Sequence, residues 1–161
     1  MVRAIALMLV LLPAFAHAAD TASVEASVTI VAPIMVRAVQ GLDFGRVAAG
    51  TDSGSVVVSP DGSRTTVGGV TSQGSEYGAA RFTVTGTDGT AFSISLPTSC
   101  VLSRSGGAET LVVDHFTSAP AGKGFLAPAG TTLCLGAELH VAASQAVGTY
   151  LGRFNVTVSY Q

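Results

Sequence analysis

From Tyr150 to Tyr160 the even positions are Tyr150, Gly152, Phe154, Val156, Val158 and Tyr160, while Arg153, Asn155, Thr157 and Ser159 fill most of the odd ones. A period of two marks a strand with one buried face. Five large side chains on that face contribute roughly 1.5–3 kcal/mol each when fully buried, so something must cover them. No part of the chain beyond its first residues sustains a helical period, and short alternating runs between turn signals recur throughout. The chain must therefore solve the problem of an all-β fold, which is how to cover its faces and its edges.

The other runs fill in the pattern. "ASVEASVTIVA" alternates through Val24, Ala26, Val28 and Ile30 until Pro33 interrupts it, and "IMVRAVQ" follows. "ARFTVTGTDGTAFSISL" places Phe82 and Val84 on one face, then Phe92, Ile94 and Leu96 on one face, around a turn at Asp88-Gly89, and predicts a hairpin. Asp61-Gly62 in "SPDGSR" is a similar turn signal. "TLVVDHF" and "TTLCLGAELHVAA" predict strands, the second with Leu133, Leu135, Leu139 and Val141 on one face. "SRSGGAE" and "SAPAGKGFLAPAG" predict loops from their Gly, Pro and Ser content. Eight or so strands at this spacing predict an all-β sandwich rather than a parallel sheet.

The first residues set the compartment. "MVRAIALMLVLLPAFAHAAD" has a basic Arg3, an apolar run from Ala4 to Phe15, and small residues at Ala16 and Ala18. It has the form of a secretory signal peptide over residues 1–18. The run is shorter than the roughly 20 residues of a spanning helix, so no integral membrane segment is expected after cleavage. A formal net charge of −2 with no basic cluster gives no footing for nucleic acid. The two cysteines, Cys100 and Cys134, would meet an oxidising compartment, and a disulfide between them is expected.

No constellation of catalytic residues is present. The chain lacks G-x-S-x-G, H-E-x-x-H, a P-loop and a dinucleotide fingerprint. Asp114 and His115 are sequence neighbours in a predicted strand, so their side chains are expected on opposite faces, unable to act together. His140 and Cys134 share a strand face six residues apart, about 20 Å at strand rise and too far for one metal. Asp43, Asp52, Asp61 and Asp88 read as turn residues. The expectation is a protein that is not an enzyme, with no catalytic, cofactor or metal site.

The two ends carry a resemblance. Gly148 is fourteenth from the C-terminus and Tyr160 penultimate, with alternating apolar residues between them. This resembles the C-terminal signature of subunits assembled by the periplasmic chaperone and outer-membrane usher pathway. The wider pattern, an alternating N-terminal segment, "LDFGRV", a Gly-rich middle and the final "GTYLGRFNVTVSY", is similar to spore coat protein U-like secreted proteins. It also resembles a bacterial family, domain of unknown function 4402, across nearly all of the chain beyond the leader.

The pilin resemblance implies an immunoglobulin-like β-sandwich over residues 34–161 that lacks its final strand, with residues 19–33 as an extension. Gly148, Tyr150, Phe154, Val156, Val158 and Tyr160 would then form the assembly groove and the contact for a periplasmic chaperone. Val24, Ala26, Val28 and Ile30 would be the face of a donor strand given to the next subunit. Strand addition supplies backbone hydrogen bonds, and alternate side chains fill the groove. Head-to-tail donation does not close on itself and builds a filament of like subunits. The implied function is a secreted structural subunit of a surface fimbria or coat, passing through the periplasm and an usher to the cell surface. The alternative is a self-complete, monomeric secreted sandwich that acts as a binding or coat protein.

Overall fold

The computed structural model describes residues 21–161, so the leader expected at residues 1–18 lies outside the described residues. The chain divides between Ile30 and Val31, and Val31–Gln161 forms the second unit. Before it, residues 21–30 carry no secondary structure and every one of them is exposed, Val24, Val28 and Ile30 at 85% or more. The alternation that predicts a strand there is thus not satisfied by a ladder.

The second unit is an all-β sandwich of eleven strands, every pairing antiparallel, and the described residues contain no helix. In chain order the strands are β1 (Met35–Gln40), β2 (Arg46–Val58), β3 (Arg64–Gln73), β4 (Ala80–Thr85), β5 (Ala91–Ser95) and β6 (Ser99–Arg104). They continue as β7 (Thr110–Ala119), β8 (Lys123–Phe125), β9 (Thr131–Val141), β10 (Tyr150–Leu151) and β11 (Thr157–Tyr160). The larger sheet runs β1-β4-β9-β7-β6-β10, with β2 joined to β9 and β3 to β2, and the smaller runs β11-β5-β8.

Strand β9 is the axis of the fold. Its alternation buries Leu133, Leu135, Ala137, Leu139 and Val141, as the sequence predicts for the leucines and Val141. One edge pairs with β7 along most of its length. The other is shared, Thr131–Leu135 pairing with β4 and Ala137–Val141 with β2. Gly136 sits where the two partners diverge, and a Cβ there would lie 2.1 Å from the Val58 carbonyl oxygen. Only a glycine lets a second backbone come so close.

Two buried clusters fill the sandwich. One gathers Phe44, Val56, Val58, Val70, Val113 and Leu139; the other gathers Val84, Phe92, Leu126, Leu133 and Leu135. The turn at Asp61-Gly62 forms as predicted: Asp61 Oδ1 accepts from the Ser63 N–H at 2.9 Å, and Gly62 has φ +89°. The Asp88-Gly89 turn also forms, Gly89 having φ +70°, but the predicted hairpin does not. β4 pairs with β1 and β9, while β5 pairs with β11 and β8. Both strands are amphipathic, and Val84 and Phe92 meet face to face across the core instead of edge to edge. The predicted loop at residues 118–130 contains the short strand β8.

The expected disulfide is absent, and Cys100 and Cys134 are free thiols. Topology separates them. β7 lies between β6, which carries Cys100, and β9, which carries Cys134. Cys100 pairs with Val113 and Val113 with Leu139, five residues along β9 from Cys134. That offset is about 16 Å at strand rise, well beyond the roughly 7 Å a disulfide spans between Cα atoms. Cys100 also faces the core while Cys134 alternates with the buried Leu133 and Leu135 and so faces outward.

The expectation for Asp114 and His115 is also overturned. The β7–β9 register shifts between Asp114 and Thr117, and His115 has φ +47°. This bulge sets one extra residue on β7, turning both side chains to the outer face, and the His115 and Asp114 atoms Nδ1 and Oδ1 lie 2.7 Å apart.

Candidate functional site

The C-terminal segment read as one regular strand is two. β10 ends the large sheet against Ser103 and Arg104 of β6, and β11 pairs with β5 in the small sheet. Between them the chain crosses from one sheet to the other. Gly152 makes the crossing, because a Cβ there would lie 2.5 Å from the Val101 carbonyl oxygen. The inward period of two survives the crossing: Tyr150, Phe154, Val156, Val158 and Tyr160 are half-buried, and the odd positions between them are exposed.

Tyr150 packs on the first core cluster and its hydroxyl donates to the Ala146 carbonyl at 2.7 Å. Phe154 lies against Phe116 with ring centroids 5.0 Å apart. Gly148 has φ +154°, a conformation that favours glycine, and passes directly over the Arg104 side chain. Arg104 fixes that approach by donating from Nε to the Val147 carbonyl at 2.8 Å and from an NH group to Glu109 at 3.1 Å.

An open groove of about 960 Å³ runs beside this segment. One wall is Gln40–Ala49, the other Gln145–Gly152 with Phe154, and the floor is apolar: Cys100, Leu102, Leu111, Val113, Leu139 and Val141. Among the described residues its walls carry strand edges without a ladder. Arg46–Ala49 of β2 pair there with β3 alone, since the ladder from β2 to β9 starts at Gly54. β10 pairs there with β6 alone and ends its sheet. Two such edges thus flank an apolar floor. Burial in that floor pushes the Cys100 thiol pKa up.

Of the residues predicted to form the groove, Gly148, Tyr150 and Phe154 line it. Val156, Val158 and Tyr160 lie beyond its end and pack on the second core cluster. The predicted donor residues Val24, Ala26, Val28 and Ile30 are exposed. Sequence reading missed the opposite wall, Leu42, Phe44, Val47 and Ala49, because the Gly-rich stretch that contains it has no regular period. It also missed the proximity of Asp114, His115, Glu138 and His140. A signal was present: Leu111 and Val113 set one phase and Phe116 the other, which betrays an extra residue between them.

Among known proteins, the family model described as Domain of unknown function (DUF4402) matches residues 34–160. No curated protein and no solved structure matches.

Proposed function

Because the chain belongs to the DUF4402 family, whose description assigns no activity, we propose from the groove itself that this is a structural subunit assembled by strand donation. The occupant is residues 21–31 of a second copy of the chain. The observation that carries this reading is the match, among the described residues, between an apolar slot flanked by two strand edges without a ladder and an exposed, alternating segment that has no ladder either. Val24, Ala26, Val28 and Ile30 would enter the slot while their backbone pairs with β10 or with Arg46–Ala49. Each copy gives one strand and takes one, so the contact propagates as a filament.

A chain with the leader described above would travel through the periplasm to the cell surface. A chaperone strand would cover the slot until an usher exchanges it for the extension of the next copy. The leader and the slot support this route.

A specific contact favours the self-complete alternative: the Tyr160 hydroxyl bonds Ala32 and Thr87, so the two ends of the second unit already close on each other. The two readings separate on one experiment. The secreted chain and a variant lacking Ala19–Ile30, which keeps Ala32, are compared by size-exclusion chromatography with light scattering. Strand donation predicts polymers for the first, and for the second a monomer that binds a synthetic peptide of residues 21–31. Polymers from the truncated chain would reject the donor assignment, and a monomeric full chain that ignores the peptide would favour the self-complete sandwich.

A further inference from the structure

The outer face of the large sheet carries a second cluster, remote in chemistry from the groove. Asp114 of β7 and Glu138 of β9 stand directly opposite each other in the ladder. Like charges in that position are destabilising unless a cation sits between them. His140 follows two residues after Glu138 on the same face, and the bulge in β7 brings His115 to that face as well. His140 Nε2 lies 2.8 Å from Asp114 Oδ1, and His115 Nδ1 lies 2.7 Å from that same oxygen and 3.3 Å from Glu138 Oε2. One ligand atom from each of the four residues falls within 4.8 Å of every other.

We propose that Asp114, His115, Glu138 and His140 form a surface binding site for a divalent transition-metal ion, with zinc as the cation that fits the donor set best. Two imidazole nitrogens and two carboxylate oxygens suit zinc, whereas calcium and magnesium take oxygen ligands. Tetrahedral zinc with bonds of about 2.0–2.1 Å holds its ligands roughly 3.3–3.4 Å apart. The hydrogen-bonded contacts at 2.7–3.3 Å therefore open slightly, and the widest pair closes by about 1.5 Å. Three of the four ligands stand in the regular β7–β9 ladder at the centre of the sheet, a rigid mounting that keeps the donors convergent. The fourth, His115, sits at φ +47°, a conformation in which His is found more often than most residues. Bound zinc would neutralise the facing carboxylates and tie β7 to β9 across the bulge.

The test uses the full chain carrying no histidine tag, stripped with chelator and titrated with zinc chloride by calorimetry, with calcium and magnesium chlorides as comparison. The expected result is saturation at one zinc per chain and at least a hundredfold weaker binding of calcium and magnesium. Cobalt(II) in place of zinc should give the intense visible bands of a four-coordinate site. His140→Ala and His115→Ala should each weaken zinc binding at least tenfold, and the double variant should abolish it. Absence of saturable zinc binding, calcium binding of equal strength, or full affinity in the double variant would overturn the site. The cobalt spectrum of the unmutated chain decides the matter even if a variant fails to fold, since an octahedral, weakly absorbing spectrum would also reject it.

Discussion

The Tyr160 hydroxyl donates to the Ala32 carbonyl at 2.7 Å and accepts from the Thr87 N–H at 2.9 Å. One side chain thus ties the entrance of the sandwich, the β4–β5 connection and the last strand into one junction. Gly86 passes close by, where a Cβ would lie 2.3 Å from the same hydroxyl. The aromatic ring packs on the second core cluster while its oxygen serves two backbone groups, a combination only tyrosine supplies at that position.

Tyr160→Phe keeps the ring and removes both bonds. It is expected to lower stability by about 1–2 kcal/mol, because each lost bond contributes about 0.5–1.5 kcal/mol and the site is partly exposed. Ala32 should also become more open to hydrogen exchange or proteolysis. Urea unfolding of the two proteins checks this, and an unchanged midpoint would show that water replaces the hydroxyl without loss.

Gly136→Ala should be among the most damaging single-methyl additions. The new Cβ would meet the Val58 carbonyl oxygen at 2.1 Å and the backbone around Ser59 and Pro60, none of which can rotate aside. A cost of about 3 kcal/mol, the upper end for overpacking, is expected in chemical denaturation. Gly62→Ala has open space around its Cβ and meets only the strain of φ +89°, so it should cost less. Equal effects would mean that the junction of β9 with β2 and β4 relaxes freely.

The contrast between these glycines shows what the sequence makes legible. The Asp61-Gly62 turn and the buried face of β9 are local patterns, and both are present as read. Period two says which side chains face inward but not which edge pairs with which, so the β4 and β5 strands read as a hairpin separate into two sheets. The groove depends on where β2 begins to pair with β9, a matter of register between residues some eighty positions apart. Cys100 and Cys134 illustrate the same gap: oxidising compartment and even count favour a bridge, and only the interposed β7 rules it out.

Thiol chemistry follows from that arrangement. The chain purified without reductant should show two free thiols on denaturation and no mass difference on reduction. In the native protein Cys100 should react with a disulfide reagent several-fold more slowly than a free cysteine near neutral pH, since burial raises its pKa and depletes the thiolate. Saturating the groove with the peptide of residues 21–31 should slow Cys100 further, because it lies on the floor. An oxidised pair, or a Cys100 rate indifferent to bound peptide, would contradict the topology or the docking site respectively.

Acid should loosen one wall of the groove before the core. Glu109 has its carboxyl pKa lowered by its own backbone N–H and then by the Arg104 guanidinium, which in turn holds the Val147 carbonyl. Because the folded value lies below the unfolded one, the stabilisation is full above the ordinary carboxylate pKa of about 4.3 and is lost as pH falls through the lowered value. The pair is partly exposed, so the effect should be local and weakened by salt. Amide signals from Val147 to Tyr150 should shift or broaden below about pH 4.3 in the unmutated chain, while Glu109→Gln should show the loosened state already at neutral pH and a flat profile in acid. Matching acid profiles for the two proteins would place the control of that wall elsewhere than at the Arg104–Glu109 pair.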